Sequence, residues 1–308
     1  MVSLHLANAQ LDFGPHSNRI HQTQLFGEAL LKAILLEVCC YPKPGLVTPH
    51  SSGAHSDMNL QTFILSSAAI APCFNECALA GFQHCGPLTL LLARIRPIGQ
   101  RYEQHLMATT QGVNTQRGIL FSASVLCAAA GYLAASQVII NTSTLGETCA
   151  AICFGLCQRD FAALQQRPPR TAGESLYHTY GVTGIRGEAE QGFPTVIKFG
   201  LPALTSAFAQ GADIRTAMSH CLITLIAHCE DTTVLWRGGP QLLAQLRQRA
   251  GAIVDAGGML NLQGKEHMHS LNEWCCQERI SPGGCADLLA LTTGMYLICH
   301  QHFPNGVM

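Results

Sequence analysis

A chain of 308 residues with 48% hydrophobic and only 12% charged side chains holds enough apolar material for one large core. Its formal net charge of −1 leaves no basic footprint for a nucleic-acid backbone, so nucleic acid is excluded as a partner. Its fifteen cysteines are too widely dispersed in too long a chain for a disulfide scaffold, and read as reduced thiols in a cytoplasmic protein.

Residues 1–20 contain Gly14-Pro15 and no periodicity, which predicts a loose arm; they lack the apolar stretch of a signal peptide. No Pro/Ser-rich linker or charge block divides the rest, so 21–308 is expected to form one domain. From Gln22 to Cys40 a helix is predicted, with Leu30, Ile34 and Val38 on one face and Glu37 near its end. Tyr41-Pro42-Lys43-Pro44-Gly45 stops it. The loop that follows is stiffened by proline and carries Lys43, His55 and Asp57. Asp57 reads either as a cap of the next helix, about Leu60 to Phe82, or as a metal ligand or general base beside His55.

A helix from about Pro87 to Leu106 leads to Gln111–Gly118, where Asn114 or Thr115 is a natural N-cap. Arg117 then falls in the first helical turn, where a cation is disfavoured unless an anion occupies the helix end. Helices are expected at about 115–135 and 144–165. The uncharged stretch Phe121 to Ile140 is built from Ala, Ser, Cys and Gly, which suits a central helix packed on all sides better than a membrane span. Cys149, Cys153 and Cys157 repeat every four residues, as small buried hydrophobes on one helix face.

After a short helix at Glu174 to Tyr180 comes Gly184-Ile185-Arg186-Gly187-Glu188-Ala189-Glu190-Gln191-Gly192-Phe193-Pro194. It reads as a glycine-framed loop whose two carboxylates suit Mg²⁺ holding a phosphate chain, or alternatively as a solvated acidic turn. Helices follow at about 195–210 and 213–229. Asp231 emerges from the second, a costly place for a carboxylate unless it is paired or metal-bound, and Arg237-Gly238-Gly239 forms an anion-facing turn or a partner for Asp231. Beyond helices at about 240–256 and 267–278, Ser281-Pro282-Gly283-Gly284 opens the last helix, which runs to about His302. Ser281 reads as its N-cap, the two glycines expose backbone N–H groups to an anion, and Asp287 lies one turn in. No alternating strand pattern is convincing, so the expected fold is an all-α multi-helix bundle with polar glycine-rich loops converging on one rim.

Six segments together resemble one family, the triphosphoribosyl-dephospho-CoA synthases: PKPGLV (42–47) with Glu37, GAHSDM (53–58), GVNTQRG (112–118), TGIRGEAEQGFP (183–194), EDTTVLWRGG (230–239) and SPGGCADLL (281–289). The chain departs from the family pattern at Thr48-Pro49, where Asp-Arg is usual, at Ser56, where Lys is usual, and at Thr233 within the motif around Asp231. The resemblance implies transfer of the 5-triphosphoribosyl group of ATP to the ribose 2′-hydroxyl of 3′-dephospho-CoA, with release of adenine. The product would be the prosthetic-group precursor of a citrate lyase or malonate decarboxylase, passed on to a carrier-protein transferase. The resemblance further implies Mg²⁺ as cofactor, with Asp57, Glu188, Glu190 and Asp231 as ligands and Glu188 or Glu190 as the leading general base. Lys43, Asn114, Arg117, Arg186, Arg237, Ser281, Gly283 and Gly284 would contact phosphates or nucleotide, and His55 the leaving adenine. A homodimer is compatible with the sequence without being read from it.

Overall fold

The computed structural model describes residues 15–307. Its helices are α1 (Pro15–Cys39), α2 (Leu60–Phe82), α3 (Leu91–Thr109), α4 (Arg117–Ala135), α5 (Thr142–Cys153), α6 (Leu156–Phe161) and α7 (Ala172–Tyr180). They continue with α8 (Gly184–Glu190), α9 (Leu201–Ala209), α10 (Ile214–His228), α11 (Thr232–Asp255), α12 (Leu262–Gln277) and α13 (Gly283–His300). Among the described residues no strand forms; Thr48 and Ser51 make one isolated bridge. The all-α expectation therefore holds. The first helix starts at Pro15, inside the stretch read as an arm, while residues 1–14 lie outside the described residues.

The centre of the bundle is the pair α2 and α4, flanked by α1 and α13. Its closeness follows from small residues. A Cβ on Gly81 would stand 2.0 Å from the Ala128 carbonyl oxygen, and one on Gly131 would stand 2.0 Å from that of Ala78. Only glycine at both crossings lets the two backbones meet. Both helices are long and apolar enough to cross a membrane. In α4, however, 72% of the apolar window is buried inside the protein, as in a core helix, and in α2 half of it is. The buried thiols Cys73, Cys77, Cys127, Cys149 and Cys153 pack in this core, and all fifteen cysteines are free.

Helix ends are set by local chemistry. Asn59 with Thr62, and Asn141 with Thr144, form reciprocal capping boxes at the starts of α2 and α5. The predicted helix 144–165 divides, because Gly155 takes φ +71° between α5 and α6. At Gly239 (φ 73°, ψ −179°) the helical course of α11 breaks before Pro240, so the stretch from Thr232 to Gly238 is a short helix of its own leading into a longer one. The segment Gly184–Glu190, read as a loop, is two turns of helix, and this decides which of its side chains share a face.

Candidate active-site cleft

The ends of α1, α4, α8, α11 and α13, with the 43–58 loop, surround a cleft of about 610 Å³. Eleven of the residues singled out in the sequence line it: Lys43, His55, Asp57, Asn114, Arg117, Glu188, Asp231, Arg237, Ser281, Gly283 and Gly284. Glu37 and Asp287 line it too.

Lys43 is only 2% exposed. Its Nζ donates to Glu37 Oε1 at 2.5 Å and to the Glu37 carbonyl at 2.7 Å, so one of its three donors is left for the cleft. Arg237 is exposed and makes no ion pair among the described residues, which leaves its guanidinium free to meet an anion. Arg117 pairs with Glu103, and the α4 N-terminus that it opens already has a carboxyl group against it. Gly118 stands where a Cβ would lie 1.9 Å from Asp287 Oδ2, so the Asp287 carboxyl group packs directly against the first turn of α4. The place where an anion was expected at this helix end is thus taken by a carboxyl group of α13 itself.

Asp231 (1% exposed) accepts from the N–H groups of Thr233 (2.8 Å) and Val234 (3.0 Å) through Oδ1. Through Oδ2 it accepts from Cys285 N–H at 2.8 Å. It therefore caps α11 and fastens the start of α13 to it, and it forms no ion pair with Arg237. Ser281, expected to cap α13, has its hydroxyl 2.9 Å from His55 Nε2 instead. His55 Nδ1 has no hydrogen-bond partner and stands 3.6 Å from Asp57 Oδ1. Burial first, then the Arg237 charge, lower the His55 pKa against the pull of Asp57, which keeps the imidazole neutral at physiological pH.

Glu188 Oε1 accepts from the Thr195 hydroxyl at 2.5 Å, and its Oε2 from the Thr195 N–H at 3.2 Å. Burial raises its pKa despite these bonds. A carboxylate keeps further lone pairs after two such contacts, so Glu188 retains acceptor capacity toward the cleft. Asp287 is pushed well above the usual carboxylate range, by burial and then by the charges of Glu37 and Asp231.

Two candidates stand elsewhere. Glu190 points away from the cleft and accepts from the Cys157 N–H at 3.1 Å, at the N-terminus of α6. Burial would raise its pKa, but the bonds from Cys157 outweigh that and lower it. Arg186 bonds Asp160 at 2.9 Å on the same side. On a helix, residues two apart do not share a face. Glu188 therefore faces the cleft, while Arg186 and Glu190, four apart, face away from it together.

The four proposed metal ligands do not form a protein cage. Glu190 is outside, Asp231 is occupied by three N–H groups, and among the described residues no three His, Cys, Asp or Glu side chains gather to hold one ion. Mg²⁺ bound chiefly by nucleotide phosphates needs only one or two carboxylates. Asp57, 55% exposed at its side chain, fits that lesser role. The sequence reading passed over Trp236, which is 55% exposed on the cleft wall beside Arg237. A large aromatic directly before Arg237 and its two glycines is the signal that would have found it.

The family model for ATP:dephospho-CoA triphosphoribosyl transferase matches residues 23–303. A Malonomonas rubra protein described as a probable 2-(5''-triphosphoribosyl)-3'-dephosphocoenzyme-A synthase is 40% identical over 284 residues, covering 92% of this chain and 90% of its own. The 2-(5''-triphosphoribosyl)-3'-dephosphocoenzyme-A synthase of Pectobacterium atrosepticum is 40% identical over 274 residues, 89% of this chain and 87% of its own. A Vibrio cholerae serotype O1 relative, described as probable for the same activity, is 39% identical over 274 residues, 89% of this chain and 88% of its own. No solved structure matches.

Proposed function

The chain belongs to the ATP:dephospho-CoA triphosphoribosyl transferase family, and from that premise we propose how its cleft performs the transfer. The enzyme joins C1″ of the ATP ribose to the 2′-oxygen of 3′-dephospho-CoA and releases adenine. The bond to adenine breaks with its electron pair leaving on the base, through a transition state of oxocarbenium character like that of glycosides. Glu188 takes the proton of the acceptor 2′-hydroxyl; its raised pKa brings it closer to the pH at which a general base works best. Its negative charge also favours the cationic ribosyl carbon.

Lys43 and Arg237 hold phosphate oxygens of ATP, and Arg117, by exchanging Glu103 for it, reaches the second nucleotide. Neutral His55, with Nε2 held by Ser281 and Nδ1 buried beside Asp57, lines the side of the cleft from which adenine would depart. Trp236 offers a face on which a base can stack. Mg²⁺ accompanying the triphosphate would be held in part by Asp57 and would neutralise phosphate charge. The substrates and the free thiols point to the cytoplasm, and the product calls for a transferase that loads it onto the carrier protein of a citrate lyase or malonate decarboxylase.

The observation that carries this reading is the meeting of Glu188, Lys43 and Arg237, from three distant segments, around one cleft. The test mixes the protein with Mg²⁺, ATP and dephospho-CoA and looks by mass for free adenine and the joined nucleotide. Adenine released from ATP alone, with no joined product, would replace this reading with a nucleotide hydrolase.

A further inference from the structure

Behind Arg117 lies a second chamber of about 380 Å³, within the range of roughly 300–1,000 Å³ that holds a small ligand. It adjoins the cleft, with Arg117, Gly118, Gly173 and Ile185 lining both. Its inner wall is apolar, with Leu92, Ile95, Leu120, Phe121 and Val125 from α3 and α4. Its charged rim carries three arginines, Arg96, Arg117 and Arg186, against two carboxylates, Asp160 and Glu103. Asp160 alone serves both Arg96 and Arg186, each at 2.9 Å, so positive charge is in excess.

We infer that this chamber is the acceptor subsite: its apolar interior takes the pantetheine arm of dephospho-CoA, and Arg117 and Arg186 at the entrance take the pyrophosphate. The inference rests on the reading of the acceptor as dephospho-CoA. Two nucleotides have to meet for the reaction, and the arm of the acceptor must extend away from the reacting ribose. The order of groups along dephospho-CoA — ribose, pyrophosphate, then a chain of methylenes and amides — matches the order of cleft, arginines and apolar wall. A triphosphate is polyanionic throughout and gains nothing from five aliphatic and aromatic side chains. Arg186, turned away from the cleft by the helical geometry of α8, is thereby given a ligand.

Gly99 supplies the test. It lines the chamber from α3, and no atom lies within 4 Å of where its Cβ would be. Gly99→Leu fills the chamber while improving helix propensity, so the fold is retained. Calorimetry is run on wild type, G99L and G99A with dephospho-CoA, ADP and ATP separately. ADP is dephospho-CoA without its arm. The expected result is that G99L weakens dephospho-CoA about tenfold, the loss of roughly two buried methylene groups. ADP and ATP should bind as to wild type, and G99A should stay close to wild type for all three. Unchanged dephospho-CoA affinity, or an equal loss for ADP or ATP, overturns the inference. Wild type that binds no dephospho-CoA and releases no adenine overturns the functional reading instead.

Discussion

Glu188 and Glu190 are two residues apart, and the structure assigns them opposite sides of α8, so the pair Glu188→Gln and Glu190→Gln separates a catalytic carboxylate from a structural one. Gln at 188 keeps an acceptor for Thr195 but cannot take a proton from the 2′-hydroxyl. General-base catalysis contributes about 10²–10⁴-fold, so kcat should fall by that factor, about 3–5 kcal/mol at 1.36 kcal/mol per tenfold. Gln at 190 still accepts from Cys157 N–H and touches nothing in the cleft, so its kcat should stay within a few-fold of wild type. The assay is adenine release by chromatography under saturating ATP and dephospho-CoA, with circular dichroism to confirm that both variants fold. The pH profile adds a second reading. A base must be deprotonated, so wild-type activity falls as pH drops through the raised Glu188 pKa, and E188Q should lack that limb. If E190Q loses a hundredfold or more while E188Q turns over normally, the assignment by helix face is wrong.

Asp231→Ala leaves three buried N–H groups at two helix starts without an acceptor. At about 1 kcal/mol for a cap and about 1–3 for an orphaned buried donor, the loss should be about 2–4 kcal/mol, read from the urea midpoint at constant slope. A midpoint equal to wild type would mean that the cap contributes nothing. Lys43→Met strands the Glu37 carboxylate in the interior and should cost about 3–5 kcal/mol, most of which the double variant with Glu37→Gln recovers. Additive losses in the double variant would deny the pairing. Glu174 is held down at about 2 by the Arg167 side chain and then by the Arg170 N–H. Its folded pKa lies below the unfolded value, so its stabilisation is present above that value and fades as pH falls toward the folded one. The melting-temperature gap between wild type and Glu174→Gln should be clear near about pH 6 and close by about pH 2; a gap independent of pH would refute the linkage.

The helices were legible because their signals are local. Apolar spacing and the prolines after Cys40 act within a few residues, and both appear in the structure. The convergence of the loops on one rim was legible for a different reason: in a chain with few charges, Lys43, Asp57, Glu188 and Arg237 stand out as residues with no task inside a core. What the sequence hid is tertiary. Whether Gly184–Glu190 is loop or helix turns on packing against α5 and α6, and that choice alone moves Glu190 and Arg186 off the cleft. Helix-end chemistry was misread in the same way. Asp231 and Asp287 each fill a helix start on an element other than their own, Asp231 by accepting from Cys285 N–H on α13 and Asp287 by packing against Gly118 on α4. Arg117 and the glycines of α13 looked like open anion sites only because those carboxylates lie tens or hundreds of residues away in sequence. The cleft is therefore walled by helix ends that the protein itself has already filled, and a nucleotide entering it must bind through the groups left over: the Arg237 guanidinium, the remaining donor of Lys43, the open lone pairs of Glu188 and Arg117 once it gives up Glu103.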